Sequence, residues 1–510
     1  MIGNNSKTHY ASIFLALATA FGLLLIFVAS TFIFTSNNPV AKLAMLVGGI
    51  LLLIGTVEPR PMLMVLVPIT FYLDGVKRLL ILLGRTDLDD VTSILAIAPM
   101  ATLGIIIGCV IRRIFFRKKG ALVERLAIVG ALAAFIAFGG TDIFTAGNLL
   151  YGLKTAANTT VYFLLPWALL QCFRTREEIE RFLKYCLLVG IPVALYGIWQ
   201  FAMGLSEFEI AYLKSGLSIV GDVSLDDIRP RPFSTLSSVH AYSSVMMFMV
   251  ALSVHFYSSW DVKKRSWKGP VVILIYVLAM ALSMARSTTL ASIVMLAFAR
   301  FFRSKTGVAF AYSVSTAFLG GMILFAEQLL DSLDKLQSFL PMDSVWQQQA
   351  FRLGTWSDRL LGYSNVLSKP GTWPLFANPL KFDFMRYSYS DVEFSHDLFS
   401  QIILRIGAIP MFVCVALLLY VVARAHRAIL RLPDGKSGAR PLGARLMAII
   451  VIFLLTQLAG PGMTVFPMNF WMGIFAGLLS VICLYRPKTG PVLPKDDIIV
   501  TTAPLVARAK

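Results

Sequence analysis

Four places in a largely apolar sequence hold side chains that could bind a phosphate or move a proton. Arg229 and Arg231 lie in DDIRPRPFST, just before an apolar run, and Arg286 lies in SMARSTT, between two others. Arg359 occurs in WSDRLLGY, within a long polar stretch, and His396 occurs in EFSHDLFSQ, where that stretch ends. These residues are the candidates for a functional site.

The chemistry of these side chains favours an anionic leaving group. A guanidinium group is always charged and binds phosphate oxygens through two parallel hydrogen bonds. Several arginines that converge at a membrane surface would suit a lipid-linked diphosphate, which leaves when a polyprenyl-bound sugar is transferred. Neutralising the departing charge is the largest demand of such a transfer. A histidine, with a pKa of about 6.5, suits the removal of a proton from an acceptor hydroxyl at neutral pH.

Each candidate also has a simpler interpretation. An arginine in an exposed loop is more often solvated, or paired with an acid or a headgroup, than catalytic. His396 could instead cap a helix or pack in a core. Asp391, Glu393 and Asp397 around it could form a cation site, although their spacing lacks the usual ligand pattern. Arg405 lies inside an apolar run, where a charge is costly and usually functional, unless its side chain reaches the interface.

The composition predicts a membrane protein that positions these residues on helices. Hydrophobic residues make up 57% of 510 positions, charged residues make up 15%, and the mean hydropathy is +0.74. Several apolar runs reach the roughly 18–20 residues that cross a bilayer. The formal net charge of +18 is concentrated in connectors predicted to share one face, as the positive-inside rule expects. The charge therefore indicates orientation and not nucleic-acid binding.

The cysteines fit the same picture. Cys109, Cys172, Cys186, Cys414 and Cys483 all lie in or at the ends of apolar segments. We therefore expect neither a disulfide framework nor a cysteine metal site, and no cofactor.

The apolar runs predict an all-α polytopic protein with about fourteen transmembrane helices, because hydrocarbon offers no partners for free backbone groups. The predicted spans are 11–35, 39–57, 61–74, 91–111, 121–139, 156–173, 184–203, 238–258, 269–284, 287–302, 308–327, 400–423, 446–460 and 467–485. Residues 1–485 form one domain, with a large periplasmic loop at 328–399, a cytoplasmic tail at 486–510 and both termini in the cytoplasm. The connector 75–90 is expected outside, in the membrane interface.

Six segments give the chain a resemblance to the bacterial O-antigen ligase and polymerase family. They are ALYGIWQFAMG at 194–204, RPRPFSTLSSVHAYSS at 229–244, SMARSTTLAS at 283–292, DRLLGYSNVL at 358–367, WPLFANP at 373–379 and HDLFSQIILRIGAIPMF at 396–412. The chain departs from the family pattern at His240 and Asp397, where the family commonly has Asn, and at Arg405, near the usual Glu. The resemblance covers roughly residues 180–425.

The resemblance implies a helical glycosyltransferase of the C type, whose large outer loop caps a cavity open to the lipid. It implies a metal-independent, inverting transfer in the bacterial inner membrane. Arg231, Arg286 and Arg359 would hold the diphosphate, and His396 would activate the acceptor. Arg229, Arg405, His240 and Asp397 are secondary site candidates.

Three functions remain open from the sequence. A polymerase would move a polyprenyl-diphosphate-linked glycan onto the next lipid-linked repeat unit, in O-antigen or exopolysaccharide synthesis. A ligase would move the finished glycan onto a lipid A core. A flippase or transporter would carry out no chemistry, but no Asp or Glu falls near the middle of a confident span, which counts against ion coupling. The partners implied are the lipid-linked oligosaccharide, membrane lipid, and a chain-length regulator and flippase of the same pathway.

Overall fold

The computed structural model describes residues 38–82, 88–116, 122–136, 149–215, 230–257, 267–307, 374–377, 398–434, 438–457, 462 and 465–484, together with 309, 312–313, 328 and 335. These residues form helices, turns and loops, and no strand. In chain order the helices are α1 Pro39–Val57, α2 Pro59–Leu82, α3 Leu88–Leu95, α4 Ile97–Phe116, α5 Leu122–Ala134, α6 Leu149–Thr160, α7 Leu165–Cys172, α8 Arg176–Met203, α9 Glu207–Lys214, α10 Val239–Tyr257, α11 Lys268–Leu282, α12 Arg286–Phe301, α13 Leu398–Ile406, α14 Ala408–Leu430, α15 Arg440–Thr456 and α16 Met468–Leu484.

Within these ranges, five helices are long and apolar enough to cross a membrane, and α11 and α16 are shorter apolar helices. The five are α1, the continuous stretch Asp90–Ile114, α8, α10 and α14. The protein is therefore helical and of the membrane class. The predicted spans 11–35 and 308–327 lie wholly or almost wholly outside the described residues, and every other predicted span overlaps a described helix.

Helices α1 and α4 pack side by side through glycines. Gly104 lies so close to α1 that a Cβ atom there would be 2.3 Å from the Leu52 carbonyl oxygen, and one at Gly108 would be 2.5 Å from that of Thr56. The residue numbers of the contacting pairs rise together, from Leu52 with Gly104 to Thr56 with Gly108, so α1 and α4 run parallel. Small residues let the backbones approach where hydrocarbon gives helices no hydrophobic reason to associate.

Helix α10 forms the centre of the bundle. Its residues from Ala241 to Ser253 are all buried, so other parts of the protein cover it on every side. Phe248 makes edge-on ring contacts with Phe453 of α15 and Phe475 of α16, each with centroids 5.2 Å apart. Helices α8, α11 and α12 also pack against α10. The residues at the two termini of α10 are therefore brought to fixed positions among the other helix ends.

The helix termini meet at two ends of the bundle. At one, the C-terminal parts of α2 and α8 contact the chain just before α10, around Ser234. At the other, Arg60 of α2 pairs with Glu178 of α8 at 2.8 Å, and Lys184 of α8 lies above Phe256 near the end of α10. We call these the Ser234 end and the His255 end.

The structure corrects the prediction for residues 61–90. Helix α2 does not stop at residue 74 but continues to Leu82, and its side chains Asp74, Lys77 and Arg78 are buried instead of lying in the interface. The charges are tolerated because each is paired or hydrogen-bonded, as described below. Asp74 is therefore a buried acid in the C-terminal half of α2.

Two predicted spans are also interrupted. In the stretch predicted as 156–173, α6 ends at Thr160, a 3-10 turn covers Val161–Leu164, and α7 begins with Pro166 in its first turn. Proline lacks the amide hydrogen that would continue the preceding helix, but is accepted in a first turn. The span predicted as 400–423 is broken at Gly407, which has a φ of +96°.

Candidate functional site

Arg78 holds the chain segment that leads into α10. This segment, residues 230–238, contains Arg231. The side chain of Arg78 is fully buried, and its two Nη atoms donate hydrogen bonds to the backbone carbonyl oxygens of Ser234 and Leu236. Its guanidinium plane also lies over the ring of Phe233, 4.4 Å from the centroid. A forked, planar cation is suited to two acceptors and an aromatic face at once.

Gln200 holds the same segment from the opposite side. Its Oε1 accepts hydrogen bonds from the amides of Phe233, at 3.2 Å, and Ser234, at 2.6 Å. Ser234 has a φ of +51°, a left-handed conformation that costs a non-glycine residue about 1–2 kcal/mol. Its hydroxyl donates to the Val193 carbonyl at 2.7 Å. Together with Arg78, these contacts fix the backbone of the segment in a conformation it would not adopt alone.

Glu209 anchors Gln200. The Gln200 Nε2 donates to Glu209 Oε1, which also accepts from the Tyr196 hydroxyl at 2.9 Å. Glu209 Oε2 accepts from the Ser206 amide at 2.9 Å and from the Ser206 hydroxyl at 2.7 Å. Glu209 is fully buried, so these donors are what makes a carboxylate acceptable there.

Asp74 and Lys77 complete this polar network. Lys77 Nζ lies 2.7 Å from Asp74 Oδ1, and both side chains are at most 2% exposed. Lys77 and Arg78 also lie over the ring of Tyr212, at 5.2 and 5.4 Å from its centroid. Two cations and two carboxylates, Asp74 and Glu209, therefore sit within one buried cluster that joins α2, α8, α9 and the 230–238 segment.

These contacts give a structural reason for the glycine and glutamine in ALYGIWQFAMG. Gln200 bonds the 230–238 segment, while Gly197 faces Tyr242 of α10 so closely that a Cβ atom there would lie 2.1 Å from the Tyr242 hydroxyl. Arg231 and His240, at the two borders of the segment, are both half-buried. Both predicted residues are thus presented by a backbone that is held from α2 and α8.

Arg286 lies at the same end of the bundle. It is the first residue of α12 and follows a turn in which Met284 has a φ of +55°. The other terminus of α12 leads to Arg303, whose charged neighbours are at the His255 end. Since α12 runs along the bundle, Arg286 lies at the Ser234 end. The turn is held because the Ala285 carbonyl accepts from the Thr288 hydroxyl at 2.8 Å and the Thr289 amide at 3.0 Å.

His240 faces the loop between α15 and α16. A Cβ atom added to Gly462 would lie 3.2 Å from His240 Nε2 and 3.3 Å from Gln457 Nε2. The Gln457 carbonyl in turn accepts from the amide of Leu398, the first residue of α13, at 3.1 Å. The start of α13 is therefore tied to the Ser234 end, close to the start of α10.

Arg405 lies in the last turn of α13 and is half-buried. The neighbouring helix break at Gly407 receives residues 374–377 of the predicted outer loop. The Ala408 amide donates to the Pro374 carbonyl at 2.9 Å, and the Ala377 amide donates to the Ile406 carbonyl at 3.2 Å. This short stretch is thus docked on the helix pair α13–α14 by backbone hydrogen bonds.

The remaining predicted site residues, Arg229, Arg359, His396 and Asp397, lie outside the described residues. The structure therefore brings Arg231, His240 and Arg286 to one end of the bundle. In the described part of the chain, no group of three or more His, Cys, Asp or Glu side chains could hold a metal ion. Asp391 and Glu393, the other acids of the alternative cation site, also lie outside that part.

A cavity of about 230 Å³ lies at the opposite end of the bundle. Three arginines line it, together with Glu178 and the free thiols of Cys109 and Cys172, whose sulfur atoms are 3.9 Å apart. Two of these arginines are already paired: Arg60 with Glu178 at 2.8 Å and Arg112 with Glu58 at 3.1 Å. The cavity lies at the opposite end of the bundle from Arg231 and Arg286, and two of its own arginines already have partners. The chemistry of Arg231 and Arg286 is therefore a better guide to function.

Sequence reasoning did not single out Asp74, Lys77, Arg78 or Glu209. The signal that could have found the first three is the run Asp-Gly-Val-Lys-Arg at 74–78, which directly continues an apolar stretch and places Lys77 and Arg78 three and four residues after Asp74, on one helix face. Ionisable residues inside a membrane helix are usually paired and functional. No protein-family model matches the chain, and no curated protein is similar enough to be matched to it.

Proposed function

We propose that this protein is a polysaccharide polymerase, which transfers a polyprenyl-diphosphate-linked glycan onto the next lipid-linked repeat unit. The transfer takes place at the periplasmic face of the bacterial inner membrane, in O-antigen or exopolysaccharide synthesis. We further propose about fourteen spans in a C-type glycosyltransferase arrangement, in one domain over residues 1–485. The loop 328–399 would be periplasmic, and both termini, including the tail 486–510, would be cytoplasmic.

The observation that carries this proposal is the placement of Arg231 and Arg286 at one end of the bundle, each presented by a braced backbone. Arg231 precedes the segment that Arg78 and Gln200 hold, and Arg286 follows the turn at Met284. A site that stabilises developing charge must hold its cations in position before the reaction, because reorganisation during the reaction is costly. Rigid presentation of two guanidinium groups supports a diphosphate as the ligand.

The proposed mechanism assigns one task to each residue. Arg231, Arg286 and Arg359 bind the diphosphate oxygens of the donor and neutralise their charge as the bond from the anomeric carbon to the diphosphate breaks. His396 takes the proton of the acceptor hydroxyl, whose oxygen forms the new bond from the opposite side. The stereochemistry of the anomeric carbon is thereby inverted, and the polyprenyl diphosphate leaves. No metal ion takes part in this scheme.

The position of Leu398 supports the assignment of His396. Leu398 is two residues after His396 in the sequence, and its amide is hydrogen-bonded to Gln457 at the Ser234 end. Gln457 and His240 both face Gly462. The chain two residues after His396 is thus fixed at the end of the bundle that holds the two arginines, which supports a role for His396 in the same site.

A transporter is the second candidate, because of Asp74. Its carboxylate is buried in α2 and paired with Lys77 at 2.7 Å. Buried acid–base pairs in membrane helices occur in proton- and ion-coupled transporters. The pair also has the structural role described above, in a cluster that binds the 230–238 segment, so the transferase remains the first proposal.

Deletion of the gene, followed by sizing of cell-bound and secreted polysaccharide, tests the proposed function. Accumulation of single repeats would support a polymerase. Long chains left on the lipid carrier would instead identify a ligase. Loss of transport without any change in glycan length would identify a transporter and contradict the transferase.

Two substitutions test the proposed site. We expect His396→Ala and Arg286→Lys to abolish chain extension while the protein still accumulates in the membrane, since lysine keeps the charge but lacks the fork. Arg300→Lys is the matched control, because Arg300 is exposed near the other terminus of the same helix. Normal glycan lengths in both His396→Ala and Arg286→Lys would show that the site assignment is wrong.

A further inference from the structure

The His255 end of the bundle carries a concentration of positive charge. The charged neighbours of His255 are Arg445, Arg176, Arg303 and Lys184, and we call these four residues the basic cluster. Their helices differ: Arg176 and Lys184 belong to α8, Arg303 follows α12, and Arg445 belongs to α15. Because α12 packs against α15 and both pack against α10, the cluster is an assembled feature of the fold.

Among the residues that the structure describes, few carboxylates balance this charge. Glu180 lies 2.5 Å from Arg176 and neutralises it. Among the described residues, no ion pair involves Lys184, Arg303 or Arg445. Lys184 instead places its ammonium group 5.2 Å from the centroid of the Phe256 ring. The cluster therefore keeps an excess of cations around one half-buried histidine.

Arg445 is the residue of the basic cluster that most clearly requires an anionic partner. It lies in the second turn of α15, a largely apolar helix, and is half-buried. Its Nη1 atom is buried and, in the part of the chain that the structure describes, has no hydrogen-bond partner. Leaving a buried guanidinium donor unsatisfied is unfavourable, and the charge that acts on Arg445 is that of another cation, Arg303. An arginine in that position is expected to have a partner of opposite charge.

We propose that the basic cluster binds a phosphate group at the His255 end, supplied by the headgroup of an anionic membrane lipid. Guanidinium groups bind phosphate oxygens in a forked geometry, and basic pockets between membrane helices on the cytoplasmic side bind anionic headgroups. Arg303 and Lys184 are exposed, whereas Arg445 and His255 are half-buried. The exposed pair would meet the phosphate first, and Arg445 would bind it at depth.

This site is separate from the proposed diphosphate site. Arg286 and Arg303 flank opposite termini of α12, so at 1.5 Å per residue they are about 25 Å apart along the helix. Lipid binding at the cluster would brace α8, α10, α12 and α15 against one another at the His255 end. It does not depend on any transferase activity.

Titration of the purified full-length protein with phosphatidylglycerol or phosphatidylcholine, read by native mass spectrometry, tests the proposal. We expect phosphatidylglycerol to bind about tenfold more tightly than phosphatidylcholine, as two or more charge-assisted hydrogen bonds imply. The double substitution Arg303→Gln with Arg445→Gln should reduce that preference to about twofold or less. The matched control, Arg300→Gln with Arg431→Gln, removes the same charge from exposed positions near the same end and should keep the preference.

Two additions make the test decisive. Because Arg445→Gln could impair folding, Arg303→Gln alone, at an exposed position, should still lower the preference by about threefold. A parallel titration with inorganic phosphate shows whether the bound phosphate group belongs to a lipid headgroup or to free phosphate. Phosphate binding that is lost in the cluster variants, without a lipid preference, would support a site for free phosphate. If the cluster variants bind lipid and inorganic phosphate as the wild type does, the proposal is overturned.

Discussion

Arg78 and Ser234, which are 156 residues apart in the chain, are joined by a hydrogen bond from the guanidinium group to the backbone carbonyl oxygen. The second Nη atom of Arg78 donates a hydrogen bond to the backbone carbonyl oxygen of Leu236. One buried side chain of α2 thus determines the path of the backbone between Arg231 and the start of α10. The candidate Arg231 is therefore positioned by a charge that is itself fully buried.

Replacing Arg78 with lysine should therefore destabilise the protein although the charge is retained. Lysine has a single ammonium group and cannot serve both carbonyl oxygens while lying over Phe233. We expect the free energy of unfolding to fall by about 2–4 kcal/mol, since buried acceptors lose charged donors. Denaturant unfolding of the purified protein in detergent, followed by circular dichroism, measures this.

Arg125→Lys is the control for this experiment. Arg125 is exposed on α5, so its replacement should change the free energy of unfolding by no more than about 0.5 kcal/mol. A stability of Arg78→Lys equal to that of the control would mean that the two carbonyl contacts do not matter for the fold.

The buried carboxylate of Glu209 gives a second prediction. Replacing it with glutamine keeps the shape but points an amide NH₂ group at some of the donors from Tyr196, Gln200 and Ser206. We expect a loss of about 2–3 kcal/mol of unfolding free energy, because each displaced donor is left buried without an acceptor. Loss of Gln200 orientation should also reduce chain extension, which is measured as the length of the polysaccharide.

Glu207→Gln is matched to this substitution. Glu207 is exposed in the first turn of the same short helix α9. Its replacement removes one favourable interaction with the helix dipole, worth about 0.3–1 kcal/mol. If Glu209→Gln is no more destabilising than Glu207→Gln, the hydrogen-bond network around Glu209 does not contribute the expected free energy of unfolding.

The helices themselves could largely be predicted from the sequence. Long apolar runs such as Pro39–Val57 and Val239–Tyr257 leave only one way to satisfy backbone groups in hydrocarbon, so residue type alone determines the element. The predicted spans 238–258 and 287–302 are the eighth and tenth of the series, so alternation across the membrane puts Arg231 and Arg286, which precede them, on one face. The structure has both at the Ser234 end.

The partners of the buried charges could not be predicted in this way. A charge that follows an apolar run usually marks the interface, so the sequence places Lys77 and Arg78 in a connector and Asp74 at the end of a span. What keeps Arg78 inside is Ser234, far along the chain, and what orients Ser234 is Gln200. Such pairings depend on how the helices pack, which local sequence patterns do not contain. The same applies to the break at Gly407, where the deciding contact comes from residues 374–377.

The contact between α1 and α4 gives a third prediction. Gly104→Ala places a methyl group 2.3 Å from the Leu52 carbonyl oxygen and 2.8 Å from its Cα, both backbone atoms that cannot move aside alone. The helices must separate, and we expect a loss of about 1–3 kcal/mol, as for other overpacked sites. Unfolding in detergent measures the loss.

Gly49→Ala is the control for the helix contact. A Cβ atom at Gly49, which lies in α1, would have no atom within 4 Å. Alanine is favoured over glycine in a helix by about 0.5–1 kcal/mol, so this variant should be as stable as the wild type or slightly more. If Gly104→Ala and Gly49→Ala change the free energy of unfolding alike, close packing of α1 on α4 does not stabilise the protein.

The break at Gly407 gives the last prediction, which concerns residues 374–377. With a φ of +96°, Gly407 has a conformation that alanine rarely adopts, and a Cβ atom there would lie 2.5 Å from the Leu375 carbonyl oxygen and the Phe376 Cα. Gly407→Ala should therefore release residues 374–377 from the α13–α14 break at a cost of about 2 kcal/mol or more. That cost raises the released fraction by roughly thirtyfold.

Chymotrypsin can measure this release, because the Phe376 side chain is 69% exposed while its backbone is docked between hydrogen-bonded neighbours. Cleavage after Phe376 tracks the released population when opening is fast, so the fragment mapped by mass spectrometry should appear at least about tenfold faster in Gly407→Ala. Gly130→Ala, where a Cβ atom would have no atom within 4 Å, should be cleaved at the wild-type rate. Equal rates in Gly407→Ala and Gly130→Ala would mean that Gly407 does not hold the segment.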